Sequence, residues 1–247
     1  MHIENIYYYF SGIIPKETCQ KILQLGINKI EKEKTLGIDT SATTFGNHHK
    51  QDKLNSIPLN DKSFEELKTD SEIYVRDSEV TWFNEDWIYK LLRPYLDQAN
   101  EAAGWKYDYD ISEEIQFTKY GLNQFYGWHS DGSSDHIGKY KRFIPGISPE
   151  RKNGTPDHGY TDNVNMIGKV RKLSMTVNLS EPGSYEGGNL KFDFGPHSSN
   201  KRFYECTEIR PQGSIIVFPS YVHHQVTPVT KGTRYSLVMW TLGKPFR

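Results

Sequence analysis

The chain has 247 residues, is 36% hydrophobic and 25% charged, and carries a net charge of −1. That is enough chain to bury a full core, and near-neutrality gives no reason to expect a polyanionic partner. No apolar run approaches the roughly 20 residues of a bilayer-spanning helix, the opening MHIENIYYYFSG lacks the basic-then-apolar order of a secretory leader, and Cys19 and Cys206 stand far apart, so a reduced, cytoplasmic protein is expected.

The first hundred residues read as mixed α and β. After a β-like IYYYF, Pro15 is suited to open a helix, and Ile22, Leu23, Ile27 and Ile30 give it an apolar stripe. Residues 35–63 are polar and read as a long loop. EIYVRDSEVTWF follows as a strand. A second helix is expected next, with Asn84 as N-cap, Glu85 and Asp86 at its positive end and Gly104 at its stop. Trp87, Ile88, Leu91, Leu92, Tyr95, Leu96 and Ala99 share one face, and Pro94 predicts a kink.

From residue 105 the texture changes to short strands separated by Gly and Pro turns: EIQFTKY, NQFYGWH, KLSMTVNL, GNLKFDF, SIIVFPS, HQVTPV and TRYSLVMW. This predicts a mainly β chain with flanking helices, its core a sandwich or jelly roll. Aromatic content of 13% suits such strands. Residues 132–168 interrupt them as a long polar insert, and 139–172 carries a net charge of +5. A solvated lid is the preferred account of that charge, over a surface for an acidic peptide or nucleic acid.

His129-Ser130-Asp131 is an H-x-D in which both side chains share a strand face. About one H-x-[DE] is expected by chance in such a chain, and His2-Ile3-Glu4 is assigned to chance. A third ligand is available at His223-His224, and Arg234 and Ser236 follow. Two histidines and a carboxylate on one face of an ion form the facial triad of non-heme Fe(II) oxygenases. The open positions suit a bidentate 2-oxo acid and O2. The far carboxylate of 2-oxoglutarate needs a fixed cation, and Arg234 with the Ser236 hydroxyl two residues on can meet it.

These segments resemble a known family. KYGLNQFYGWHSD is similar to the first metal-binding strand pair of prolyl 4-hydroxylase-like Fe(II)/2-oxoglutarate dioxygenases, of the bacterial and viral type. LSEPGSYEGGNLKF resembles their acidic, Gly-Gly strand entry, and FPSYVHHQVTPVTKGTRYSLVMW their distal histidine, Pro-Val turn and basic anchor; the match covers roughly 110–245. The resemblance implies a double-stranded β-helix of about eight strands, within a single dioxygenase domain over 1–247. Residues 1–104 would form an α/β support and 105–247 the core with its insert. It implies Fe(II), 2-oxoglutarate and O2, with ascorbate as an optional reductant. Carried over by position, His129, Asp131 and His224 hold metal, and Arg234, Tyr120 and Ser236 hold 2-oxoglutarate. Trp240, Arg171 and Tyr126 are the substrate-side candidates. The ligand directly precedes x-V-x-P-V, which selects His224 over His223.

Prolyl hydroxylation in a peptide or protein is the activity this resemblance implies. Free amino acids, another protein side chain, a small metabolite, a non-catalytic jelly-roll binding module and a cupin-like isomerase or lyase using a different metal stay open on the residues alone. A nucleic-acid demethylase is disfavoured because that branch usually adds an arginine beyond the anchor, whereas the chain ends at GKPFR. Nothing sets an oligomeric state. Packing is preferred for Tyr126 and Trp128, a turn for Gly187 and Gly188, and polar loops for His48, His49, His136, His158 and His197.

Overall fold

The structure, a computed structural model, describes residues 5–45, 74–132, 138–150, 156, 159–195 and 202–246. In chain order these form β1 (Tyr8–Phe10), α1 (Lys16–Thr35), β2 (Ser41–Phe45), β3 (Tyr74–Phe83), α2 (Asp86–Ala102), β4 (Ile111–Ser112), β5 (Ile115–Tyr120) and β6 (Phe125–His129). Then come β7 (Lys141–Arg142), β8 (Tyr160–Thr161), β9 (Val170–Asn178), β10 (Tyr185–Gly187), β11 (Leu190–Asp193) and β12 (Phe203–Glu205). The last four are β13 (Ile215–Pro219), β14 (His223–Val226), β15 (Val229–Gly232) and β16 (Arg234–Gly243).

Twelve strands make one antiparallel sheet in the order β1-β13-β9-β16-β5-β3-β6-β14-β11-β12, with β2 on β3 and β4 on β16. The sheet curls on itself. Phe218 of β13 and Phe192 of β11 belong to strands near opposite ends of that order, yet their rings lie 5.2 Å apart. The result is a jelly roll with two α-helices among the described residues.

Side-chain alternation explains why helices cover one face and a site occupies the other. On β16, Leu237 and Met239 join the helix-side core, while Arg234, Ser236, Val238 and Trp240 line a cavity inside the roll. β5 and β9 repeat the pattern: Ile115, Phe117, Met175 and Val177 face the helices, and Gln116, Tyr120 and Thr176 face inward. These strands are covered on both faces, but their inner faces are polar.

Both expected helices are present. On α1, Ile22 and Ile30 are buried and Leu23 and Ile27 half-buried. Gly26 sits between them because the helix lies hard against the sheet; a Cβ there would come within 2.5 Å of the Phe117 ring. On α2, Ile88, Leu92, Leu96 and Ala99 are buried, and the helix continues through Pro94. The cap differs from expectation: Glu85, not Asn84, holds the N-cap position, and no side chain caps it. Burial of Phe83 and Ile88 on either side sets that start.

Three other expectations change. β2 forms within the segment read as a loop, pairing with β3, and 46–63 lies outside the described residues. HQVTPV is two strands rather than one, broken at Thr227-Pro228, where proline has no N–H for a ladder; β15 then leaves to pair with β10. Within the insert, β7 and β8 form a small parallel pair. The five loop histidines lie outside the described residues.

Candidate metal centre

His129 ends β6 and His224 lies within β14, and they are register partners across that ladder. Asp131 lies not in the strand but in the turn just past it. Strand alternation is therefore not what aims it. The Gly132 N–H donates to the Ser220 carbonyl at 2.7 Å, and Arg171 Nη1 donates to the Asp131 carbonyl at 3.2 Å, which together fix the turn. One ligand atom from each of His129, Asp131 and His224 falls within 4.8 Å of the others. The Nε2 atoms of His129 and His224 stand 3.6 and 3.7 Å from the two Asp131 oxygens.

The tautomers follow from the backbone. His129 Nδ1 lies 2.8 Å from the Gly127 carbonyl and His224 Nδ1 2.9 Å from that of Val222. Each Nδ1 is placed to donate, leaving an Nε2 lone pair aimed at the shared centre. Burial, reinforced by neighbouring His129, pushes His224 down to about 4, so its imidazole is neutral at physiological pH. Burial opposes the Asp131 charge, but His224, His129 and Arg171 outweigh it and hold the carboxyl well below the usual carboxylate range. Asp131 Oδ2 is buried without a hydrogen-bond partner. Two imidazole Nε2 atoms and a carboxylate with an unpartnered buried oxygen, converging on one point, are a donor set that fits a divalent metal.

His223 faces the other way. It is about half exposed, lies 3.8 Å from Asp193 and stacks on Trp128, which also packs on Phe203.

Deeper in the roll, Arg234 is 1% exposed. It is the register partner of Tyr120, its guanidinium lies over the Tyr120 ring at 5.4 Å, and Nη1 reaches the Ser236 hydroxyl at 3.4 Å. Its Nε is buried without a partner, and among the described residues no carboxylate pairs with it. Gly188 closes against it: at φ +58°, a Cβ would stand 2.9 Å from Arg234 Cδ. The expected glycine turn is thus also a packing surface for the cation.

The three substrate-side candidates surround the same space differently. The Tyr126 ring stacks on His129 at 3.5 Å and lines the cavity, and burial raises its hydroxyl to about 12. Trp240 also lines it, with its Nε1 buried and unpartnered. Arg171 lies over the Trp240 ring at 4.1 Å, but its fork is held by Glu113 through two contacts of 2.6 Å. Four residues outside the expected set complete the surroundings: Gln116 and Thr176 on the cavity wall, with Arg76 beside Gln116 and Glu113 on Arg171. The alternation in EIQFTKY and KLSMTVNL marked the first two, as polar residues among apolar ones.

Residues 115–242 match the model of the 2OG-Fe(II) oxygenase superfamily, and the chain belongs to that family. Among its relatives are the PKHD-type hydroxylases of Picosynechococcus sp., 34% identical over 105 residues, and of Nitrobacter winogradskyi, 41% identical over 71 residues. Those matches cover 42% and 28% of this chain and 41% and 27% of the relatives, so the chain spans less than half their length. Similar folds include a viral collagen prolyl hydroxylase from Paramecium Bursaria Chlorella virus-1, at 19% identity and TM-score 0.51, covering 97% of each chain. A Pseudomonas putida prolyl-4-hydroxylase has 14% identity and TM-score 0.53, with coverage of 98% and 95%.

Proposed function

We propose that this chain is an Fe(II)- and 2-oxoglutarate-dependent hydroxylase acting on a prolyl residue of a peptide or protein. The observation that carries the reading is the convergence of His129, Asp131 and His224 within 4.8 Å, beside a buried Arg234 lacking a carboxylate partner among the described residues. The three residues would hold the metal through two imidazole Nε2 atoms and a carboxylate oxygen. Iron, when bound, supplies O2-dependent oxidation of a substrate C–H bond, coupled to conversion of 2-oxoglutarate to succinate and CO2.

The remaining steps belong to the chain's own residues. Arg234 offers its fork to the far carboxylate of 2-oxoglutarate, and Ser236 and Tyr120 add hydroxyls beside it. The apolar walls at Leu190, Phe218, Val226 and Val238 exclude water. Tyr126 and Trp240 give the substrate flat surfaces, and Arg171 braces both Trp240 and the Asp131 turn. The prolyl substrate is supported by the names of the relatives and fold neighbours above. Ascorbate, which keeps such iron reduced, is the expected accessory reductant.

A single dioxygenase domain is supported by the common core in which α1 and α2 pack against β5, β9 and β16. A cytoplasmic setting is supported by Cys19 and Cys206, both buried free thiols. No helix among the described residues is long and apolar enough to cross a membrane. The test is iron-loaded protein given 2-oxoglutarate and proline-containing peptide libraries, read as succinate formation and a peptide mass gain of one oxygen. Absence of succinate while a known hydroxylase works alongside would overturn the reading.

A further inference from the structure

Among the described residues, two buried arginines and one part-buried arginine surround the centre, and they are neutralised differently. Arg171 is paired bidentately with Glu113. Arg234 has no carboxylate partner among the described residues, as befits a cosubstrate anchor. The third, Arg76 on β3, is 9% exposed and, among the described residues, also contacts only neutral groups. Its Nε donates to the Ser78 hydroxyl at 2.9 Å and its Nη2 to Gln116 Oε1 at 2.7 Å. Its guanidinium carbon lies 4.7 Å from the centre of the Tyr126 ring, the same ring that stacks on His129. Gln116 and Tyr126 both line the cavity. Arg76 is the register partner of Tyr126, so it lies on the inward face, and β3 and β16 flank β5 on opposite sides.

A guanidinium cannot shed its proton to escape burial, and a buried charge with only neutral partners is costly unless an anion joins it. The contacts made by Nε and Nη2 leave other N–H donors of the fork free, and none of the Arg76 nitrogens is sealed from solvent without a partner. We propose that Arg76 is a specificity-determining residue that, with Gln116, binds a carboxylate carried by the substrate next to the carbon to be hydroxylated. The substrate class rests on the hydroxylase reading above, since a carboxylate is the anion that a peptide or amino acid carries. Two sources share that chemistry: an acidic side chain flanking the proline, or a free C-terminal carboxylate on it.

The test is binding rather than turnover, so its failure is separable from failure of the hydroxylase reading. Full-length protein loaded with Mn(II) and 2-oxoglutarate is titrated by calorimetry with Asp-flanked and Asn-flanked proline peptides. A second pair of peptides ends in proline with a free or an amidated terminus. One charged peptide should bind about tenfold or more tighter than its uncharged counterpart, and the pair that shows it identifies the source. Arg76→Gln should erase that difference, and Arg76→Lys should keep part of it. Equal binding of charged and uncharged peptides by the wild type would overturn the proposal. So would a preference that survives in Arg76→Gln, or an Arg76→Gln defect that weakens 2-oxoglutarate rather than peptide. Succinate formation by the iron-loaded protein is measured separately; its absence would remove the hydroxylase reading and leave the binding result standing.

Discussion

His129 and His224 face each other as register partners on β6 and β14, with ring centroids 4.2 Å apart, although 95 positions separate them in the chain. Strand pairing thus sets the geometry of the candidate donors: a shift of one residue along the ladder would turn one imidazole out of the roll.

That register yields the first prediction. His224→Ala should abolish iron-dependent succinate formation and weaken metal binding by two orders of magnitude or more, roughly the loss expected when a ligand of a three-residue site is removed. His223→Ala should keep both within a few-fold, because its ring packs outside on Trp128. Metal content after dialysis and turnover check it; the reverse outcome would exchange the two roles.

Arg234→Ala should raise the 2-oxoglutarate requirement by about a hundredfold, since a buried carboxylate would lose a charged hydrogen-bond partner. Gly188→Ala should act in the same direction from a distance. It forces φ +58° on a residue with a Cβ and brings that atom to 2.9 Å from Arg234 Cδ. A stability loss of about 1–3 kcal/mol is expected with it. Titration of KM for 2-oxoglutarate against thermal melts separates the two effects.

The metal-free protein should lose stability in acid. His224 is held at about 4 against an ordinary value of 6.5. Between those pH values the unfolded chain binds a proton that the folded chain does not, so stability rises with pH across the window and falls as pH drops from 6.5 towards 4. The full swing is on the order of 3 kcal/mol. Asp131 is depressed as well, so its contribution is lost only further down, below the ordinary carboxylate value. Urea midpoints from pH 7 to pH 4, in chelator, test the slope. A midpoint that does not move over this range would contradict a buried neutral His224.

Glu113→Ala should cost about 1–3 kcal/mol, because the part-buried Arg171 would lose its bidentate partner. It should also loosen the Asp131 turn, which Arg171 holds through the Asp131 carbonyl. Denaturant unfolding measures the first effect and metal affinity the second. A variant as stable as wild type would show that Arg171 finds another anion.

Much of the site was legible before any coordinates. H-x-D, the distal His-His pair and Arg234 with Ser236 are short-range patterns whose chemistry follows from residue type and spacing, and the structure brings His129, Asp131, His224, Arg234 and Ser236 to one cavity while His223 faces away. The helices were legible for the same reason, since a 3.6-residue stripe reports on its own backbone. Choosing His224 over His223 needed the family pattern, and the structure gives its physical basis in the β14 register.

Residue type and pattern already carry the His-Asp-His donor set, the Arg234 cation with Ser236 beside it, and the alternation that makes β5, β9 and β16 apolar outside and more polar within. The closed sheet is what aims Asp131 by a turn tied to Ser220 and Arg171, splits HQVTPV at Pro228, sets Glu113 on Arg171, and leaves Arg76 with neutral partners among the described residues. The division has one cause. Residue type and periodicity are local properties, whereas the neighbours that aim a turn or neutralise a buried charge come from strands dozens of residues away, and they are set only when the sheet curls closed.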